Sequence, residues 1–146
     1  MKKIIFVCHG NICRSPMAKY IFKYITNDEF IIESRATSTE EIGNDLYYLT
    51  KDILDKHNIP YDTHMAKQLT NKEYNEYDYI IVFDEYNKNN VKRLIGDDSK
   101  VKKLLFKDID DPWYTRDFET AYKDILEGCN KLYEELKWFF IYYAII

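Results

Sequence analysis

Cysteine, proline and glycine are all scarce in this chain of 146 residues, at three, three and four copies. Three cysteines, Cys8, Cys13 and Cys129, are too few for the disulfide framework of a small secreted domain, and a reducing cytoplasm is the compartment they fit. No linker, repeat or low-complexity tract interrupts the sequence, so residues 1–146 are expected to form a single domain of ordinary size. An excess of basic charge is missing too. Lys and Arg total 21 against 25 Asp and Glu, a net charge of -4, which excludes a nucleic-acid binder working through a broad basic face but leaves room for a small basic pocket. Long apolar runs are also absent: the start, MKKIIFVCHGN, stops short of a signal peptide's apolar stretch. At the other end WFFIYYAII, residues 138–146, falls below the roughly 20 residues that span a bilayer. Packing onto the fold is the expectation for this tail, with a dimer contact or a membrane-surface contact as the alternatives.

What is present is 46% hydrophobic sequence, enough to bury a core. Short runs rich in Ile, Val and Phe alternate with segments of helical spacing, the pattern of a parallel sheet between helices. Strands are expected at Lys3–Val7, Phe30–Ser34, Tyr79–Phe83 and Val101–Phe106, and helices near Pro16–Thr26, Asp45–His57, Glu85–Ile95 and from Phe118 onward. The predicted fold class is therefore α/β: one three-layer domain, a four-stranded parallel sheet with helices on both faces and a phosphate-binding loop after the first strand. Ligands of open parallel sheets gather beyond the carboxyl ends of the strands. There the first strand runs into CHGNICRSP and the fourth into KDIDDPWY, so the two stretches are expected to face each other across one crevice.

CHGNICRSP holds the chemistry. Ser15 and Pro16 read as a helix start, with serine capping the free amides and proline suited to the first helical position. Gly10 and Asn11 tolerate positive φ, which lets Cys8 to Arg14 curl until successive backbone N–H groups point inward as an anion nest. Arg14 adds a planar fork matched to two phosphate oxygens, and the helix dipole adds positive potential at the same point. Amides, dipole and guanidinium all favour a thiolate, making Cys8 a nucleophile, and Ser15 is placed to donate to its sulfur. The plain alternative, a buried strand-end cysteine beside a surface arginine, does not account for cysteine, nest, arginine and helix start in register.

C-x5-R-S-P with GNICRS inside it, after an amino-terminal strand, resembles the low-molecular-weight protein tyrosine phosphatase family. Further pieces match in order: ATS at Ala36–Ser38, EIGN at Glu41–Asn44, IP then HMAKQ up to Gln68, YDYI, FDEYN, and DPWY followed by DFETAY. The resemblance implies a two-step hydrolysis in which Cys8 forms a phosphocysteine, Arg14 and the loop from His9 through Gly10, Asn11, Ile12 and Cys13 hold the phosphoryl oxygens, and Asp111 serves as general acid and then base. From the residues alone Asp111 reads equally as an acidic turn, since Asp-Pro commonly starts one; Asp110 is the substitute acid. The resemblance also implies that Asn11, Ser34 and His64 support the loop around Ser15, and that Cys13 traps an oxidised Cys8 as a reversible disulfide, against simple burial on the first helix. Cys129 is expected in the core.

Trp113 reads as an aromatic wall for a tyrosine ring, Tyr114 equally as wall or core, and His9 and Glu40 as rim residues that depart from the family's usual apolar or aromatic choices. The partners implied are tyrosine-phosphorylated proteins or peptides, with inorganic phosphate as product, no nucleic acid, no metal and no other cofactor. Four other readings fit the sequence less well. Arsenate reductases of this fold need a further cysteine pair; phosphoarginine phosphatases typically carry threonine where Ile12 stands and lack the aromatic wall. A metal site from Cys8, His9, Cys13 and a distant histidine would set a cation beside Arg14, at a spacing that fits no zinc pattern. A catalytically silent phosphopeptide-binding module would not need Cys8, Arg14 and Asp111 together.

Overall fold

A computed structural model describes residues 1–145, less the side chains of Phe139 and Phe140. In chain order the elements are β1 (Lys3–Cys8), α1 (Arg14–Thr26), β2 (Ile31–Ala36), α2 (Tyr48–Lys56), α3 (Asn71–Glu76), β3 (Tyr79–Val82), α4 (Glu85–Ile95), β4 (Val101–Lys103), α5 (Pro112–Thr115) and α6 (Phe118–Ile145). The four strands form one parallel sheet in the order β2-β1-β3-β4.

β1 is central, and its residues from Ile4 to Cys8 are buried without interruption, as a strand covered on both faces requires. Side chains alternate between the faces. Ile4, Phe6 and Cys8 belong to the larger core with residues of α1, α2 and α6; Ile5 and Val7 belong to a second core with Tyr74 of α3, Ile80 and Val82 of β3, and Val91 of α4. Burying a side chain such as Phe6 is worth about 1.5–3 kcal/mol, so the strand that leads into the loop is also the best-anchored one.

Several boundaries differ from the sequence expectation. β4 ends at Lys103, because Leu104 and Ile109 donate to Val82 and Phe83 from a loop rather than a ladder. α1 begins at Arg14 with Cys13 at its cap and no side-chain cap, since the Ser15 hydroxyl is occupied by Cys8 and Asn11. Pro16 therefore stands in the first turn but not at its first position, where its missing N–H is still not needed. Of the two residues expected to allow positive φ, only Asn11 adopts it, at 62°. α3 and α5 were not anticipated.

The apolar tail does not pack as expected. α6 has 28 residues, about 42 Å at 1.5 Å per residue, whereas a six-residue strand spans about 20 Å, so the helix outruns the sheet. Its buried stripe ends at Leu136; Trp138, Ile141, Tyr142 and Ile145 are exposed, and Ile146 and the side chains of Phe139 and Phe140 lie outside the described residues. No helix of the described residues is long and apolar enough to cross a membrane.

Candidate active site

The chain passes from β1 to β2 on one side and to β3 on the other, which places the switch point of the sheet at the carboxyl ends of β1 and β3. Cys8 ends β1 and Asp84 follows β3. The loop from Cys8 to Arg14 closes on the Cys8 sulfur: the amides of Asn11 and Ser15 donate to Sγ at 3.3 and 3.4 Å, and Ser15 Oγ lies 3.0 Å away. Asn11 Nδ2 donates to that same Oγ at 2.8 Å.

Asn11 is fully buried and acts as the hub of the support. Its Nδ2 also donates to Ser34 Oγ at 2.9 Å, its Oδ1 accepts from the Lys67 amide at 3.1 Å, and its carbonyl accepts from His64 Nε2 at 2.6 Å. Burial pushes the His64 pKa below its ordinary value, only partly offset by that bond to Asn11. Asn11, Ser34 and His64, which the resemblance implies as supports of the loop around Ser15, are thus joined with Ser15 in one network.

Arg14 is 2% exposed and lies where the sequence argument placed it, across from the segment after β4. Nη1 donates to Asp84 Oδ2 and to the Ile109 carbonyl, both at 2.7 Å, and Nη2 is 3.5 Å from Asp111 Oδ2. Burial alone would lower the guanidinium's pKa, but the negative charge of Cys8, Asp111 and Asp84 outweighs it and raises it above its ordinary value. Asp111 caps α5, its Oδ1 accepting from the Trp113 amide at 3.0 Å. Asp-Pro does start a turn here, and the cap it forms fixes the carboxylate that faces Arg14. Asp110 is exposed and lines no part of this pocket.

The pocket is lined by Cys8 to Arg14 together with Glu40, Glu41, Asp111, Trp113 and Tyr114. Trp113, 40% exposed, stands edge-on to Tyr47 at 4.7 Å between ring centroids, and Tyr114 is more exposed still, so both are wall rather than core. Arg116 donates to Tyr47 Oη at 2.7 Å and holds that support in place. His9 Nε2 pairs with Glu40 Oε2 at 3.0 Å on the rim. Cys13 is buried within the loop, and desolvation pushes its thiol up to about 12; Cys129 is fully buried under α1, and burial raises its pKa as well. No group of three His, Cys, Asp or Glu among the described residues is placed to hold a metal ion.

Two residues escaped the sequence reading. Asp84 was signalled by an Asp directly after the apolar run YIIVF, a helix-cap position at a strand end. Tyr47 carried no comparable signal, since its role depends on a turn after β4.

Residues 3–138 match the profile of the family described as low molecular weight phosphotyrosine protein phosphatase. The chain is 36% identical over 155 residues to the low molecular weight phosphotyrosine protein phosphatase of Gallus gallus, covering 92% of this chain and 96% of that one. It is 35% identical to the low molecular weight protein-tyrosine-phosphatase PtpA of Staphylococcus aureus strain Newman, covering 90% and 92%. Among solved structures, the low molecular weight protein tyrosine phosphatase SP-PTP of Streptococcus pyogenes superposes with a TM-score of 0.89 at 44% identity, over 93% of each chain. With the profile matched over nearly its whole length, the chain belongs to the low molecular weight phosphotyrosine protein phosphatase family.

Proposed function

We propose that the protein hydrolyses phosphotyrosine in proteins or peptides through a phosphocysteine intermediate. The observation that carries this reading is the buried Arg14 fork, held by Asp84 and faced by Asp111, at the floor of a pocket that also presents Cys8. In the first step Cys8 Sγ attacks phosphorus, Arg14 and the loop amides hold the equatorial oxygens, and Asp111 gives a proton to the departing phenol oxygen. The second step runs the same groups in reverse: Asp111 takes a proton from water, the water oxygen attacks phosphorus, and the thiolate leaves with the Ser15 hydroxyl donating to it. Inorganic phosphate is released. No step calls on a metal, because the guanidinium and amides supply the positive field that phosphoryl transfer needs. Trp113 and Tyr114 flank the aryl ring, Ile12 contributes an apolar contact, and three cysteines, too few for a disulfide framework, fit a cytoplasmic enzyme.

The test is phosphate release, with a chelator present, from matched phosphotyrosine, phosphoserine and phosphoarginine peptides. Release from phosphotyrosine alone, lost in Cys8→Ser, is the expected result. A preference for phosphoarginine would overturn the role given to Ile12 and Trp113, and no release from any peptide would leave a binding module.

A further inference from the structure

We propose that a groove on the far side of His9 from the active pocket binds an acidic side chain near the phosphotyrosine of the substrate, so that the enzyme selects its substrates by sequence. The proposal rests on the phosphotyrosine reading above. His9 is the wall common to two concavities: one face lines the active pocket beside Glu40 and Glu41, the other lines a groove with Thr37, Ser38, Tyr86, Asn90 and Arg93.

The groove is positively charged and incompletely satisfied. Arg93 is exposed, donates to Asn90 Oδ1 at 3.2 Å, and has no carboxylate partner among the described residues. Thr37 is 8% exposed, yet its hydroxyl has no hydrogen-bond partner, and neither has the buried Nδ1 of His9. Buried polar atoms are nearly always paired in folded proteins, so the unpaired Thr37 hydroxyl marks an incomplete hydrogen-bond set in the groove's wall, and the exposed Arg93 guanidinium, without a carboxylate among the described residues, suits an incoming one.

Its floor is tied to the nucleophile's own backbone. The Thr37 amide donates to the Cys8 carbonyl at 2.9 Å, and the Ser38 amide and hydroxyl donate to the His9 carbonyl at 3.1 and 2.9 Å. A side chain held there keeps a fixed register with the phosphoryl group. Across His9 the sign reverses, for Glu40 pairs with His9 Nε2 on the rim and Glu41 stands beside it. A peptide with its acidic residue over Arg93 is attracted, and one laid the other way meets Glu40 and Glu41.

The experiment scans Asp, and in parallel Lys, through each position flanking phosphotyrosine, and measures kcat/KM for wild type, Arg93→Ala and Arg93→Glu, with p-nitrophenyl phosphate as a substrate that cannot reach the groove. At one or two positions Asp should exceed Lys by about fivefold, the size of a partly exposed ion pair. Arg93→Ala should erase that preference and Arg93→Glu reverse it, with the aryl phosphate rate unchanged. Indifference of the wild type to Asp at every position, or a preference that survives Arg93→Glu, would overturn the groove. If wild type hydrolyses no aryl phosphate, the phosphatase reading fails instead, and the groove is decided by calorimetric affinity of the same peptides for Cys8→Ser with and without Arg93→Glu: an Asp preference that Arg93→Glu removes supports it, and none overturns it.

Discussion

Arg14 Nη1 and Asp84 Oδ2 stand 2.7 Å apart, joining the residues that follow the two strands at the sheet's switch point. Asp84 also caps α4, its Oδ1 accepting from the Asn87 amide at 2.6 Å. Asp84→Asn keeps a capping oxygen but removes the charge that fixes the guanidinium. Loss of a charge-assisted hydrogen bond of about 1.5–3 kcal/mol is expected to lower kcat/KM by at least about tenfold, and to lower the melting temperature by several degrees because the buried guanidinium keeps its charge without its nearest carboxylate. Kinetics and calorimetry on one preparation check both halves, and an unchanged kcat/KM would refute the positioning role.

Asp111→Asn likewise preserves the cap on α5 while removing the proton. Its effect should depend on the leaving group. For phosphotyrosine, whose phenol has a parent pKa of about 10, the loss should reach about 10²–10⁴-fold; for an aryl phosphate with a strongly acidic phenol it should be far smaller. Equal losses across a series of phenols would rule Asp111 out as the acid.

Cys13 lines the same pocket as Cys8, and burial holds its thiol up to about 12. With peroxide as oxidant, the Cys8 thiolate takes one oxygen to become a sulfenic acid as hydroxide departs. The Cys13 thiolate then attacks the Cys8 sulfur, and the oxygen leaves as water after protonation. Because only the thiolate attacks, disulfide formation should quicken with rising pH up to about 12. Mass spectrometry after peroxide treatment should find a reversible disulfide in wild type and sulfinic acid on Cys8 in Cys13→Ser; identical products in the two would remove the redox role.

His64 makes stability depend on pH. Its folded pKa lies below the unfolded value of about 6.5, so below that pH the unfolded chain binds the proton more readily than the folded one. The contribution is complete above about pH 6.5 and is lost as pH falls through the folded pKa. Thermal melts should therefore show a decline below about pH 6.5 that is shallower in His64→Gln. That variant should also lose about 1 kcal/mol at neutral pH with the bond to the Asn11 carbonyl; the same slope in both proteins would assign the decline to other groups.

The loop and its helix were legible because they are local: strand, turn, arginine and helix start follow within a few residues. Asp111 was legible only through a longer pattern, since Asp-Pro alone also describes a turn. Asp84 showed its cap position after YIIVF but not its pairing with Arg14, which depends on β1 and β3 becoming neighbours, and Tyr47 depends on the turn after β4, which nothing around it records. α3 could have been read from TNKE, because Thr70 and Glu73 form a reciprocal capping box with each other's backbone amides. Ser15 carried a capping signal that the structure spends on sulfur instead, and the tail's apolar composition could not tell where the sheet beneath it would end.

The central position of β1 bears on how the protein is made. The strand carrying Cys8 precedes both of its sheet neighbours in the chain: one begins at Ile31 and the other at Tyr79, and the Lys3 amide bonds to Asp78, 75 residues away. Its larger apolar face is covered only when α6 has been added. On the ribosome, therefore, β1 emerges before every element that will cover it, and the surroundings of the Cys8 thiol are completed only once α6 has followed.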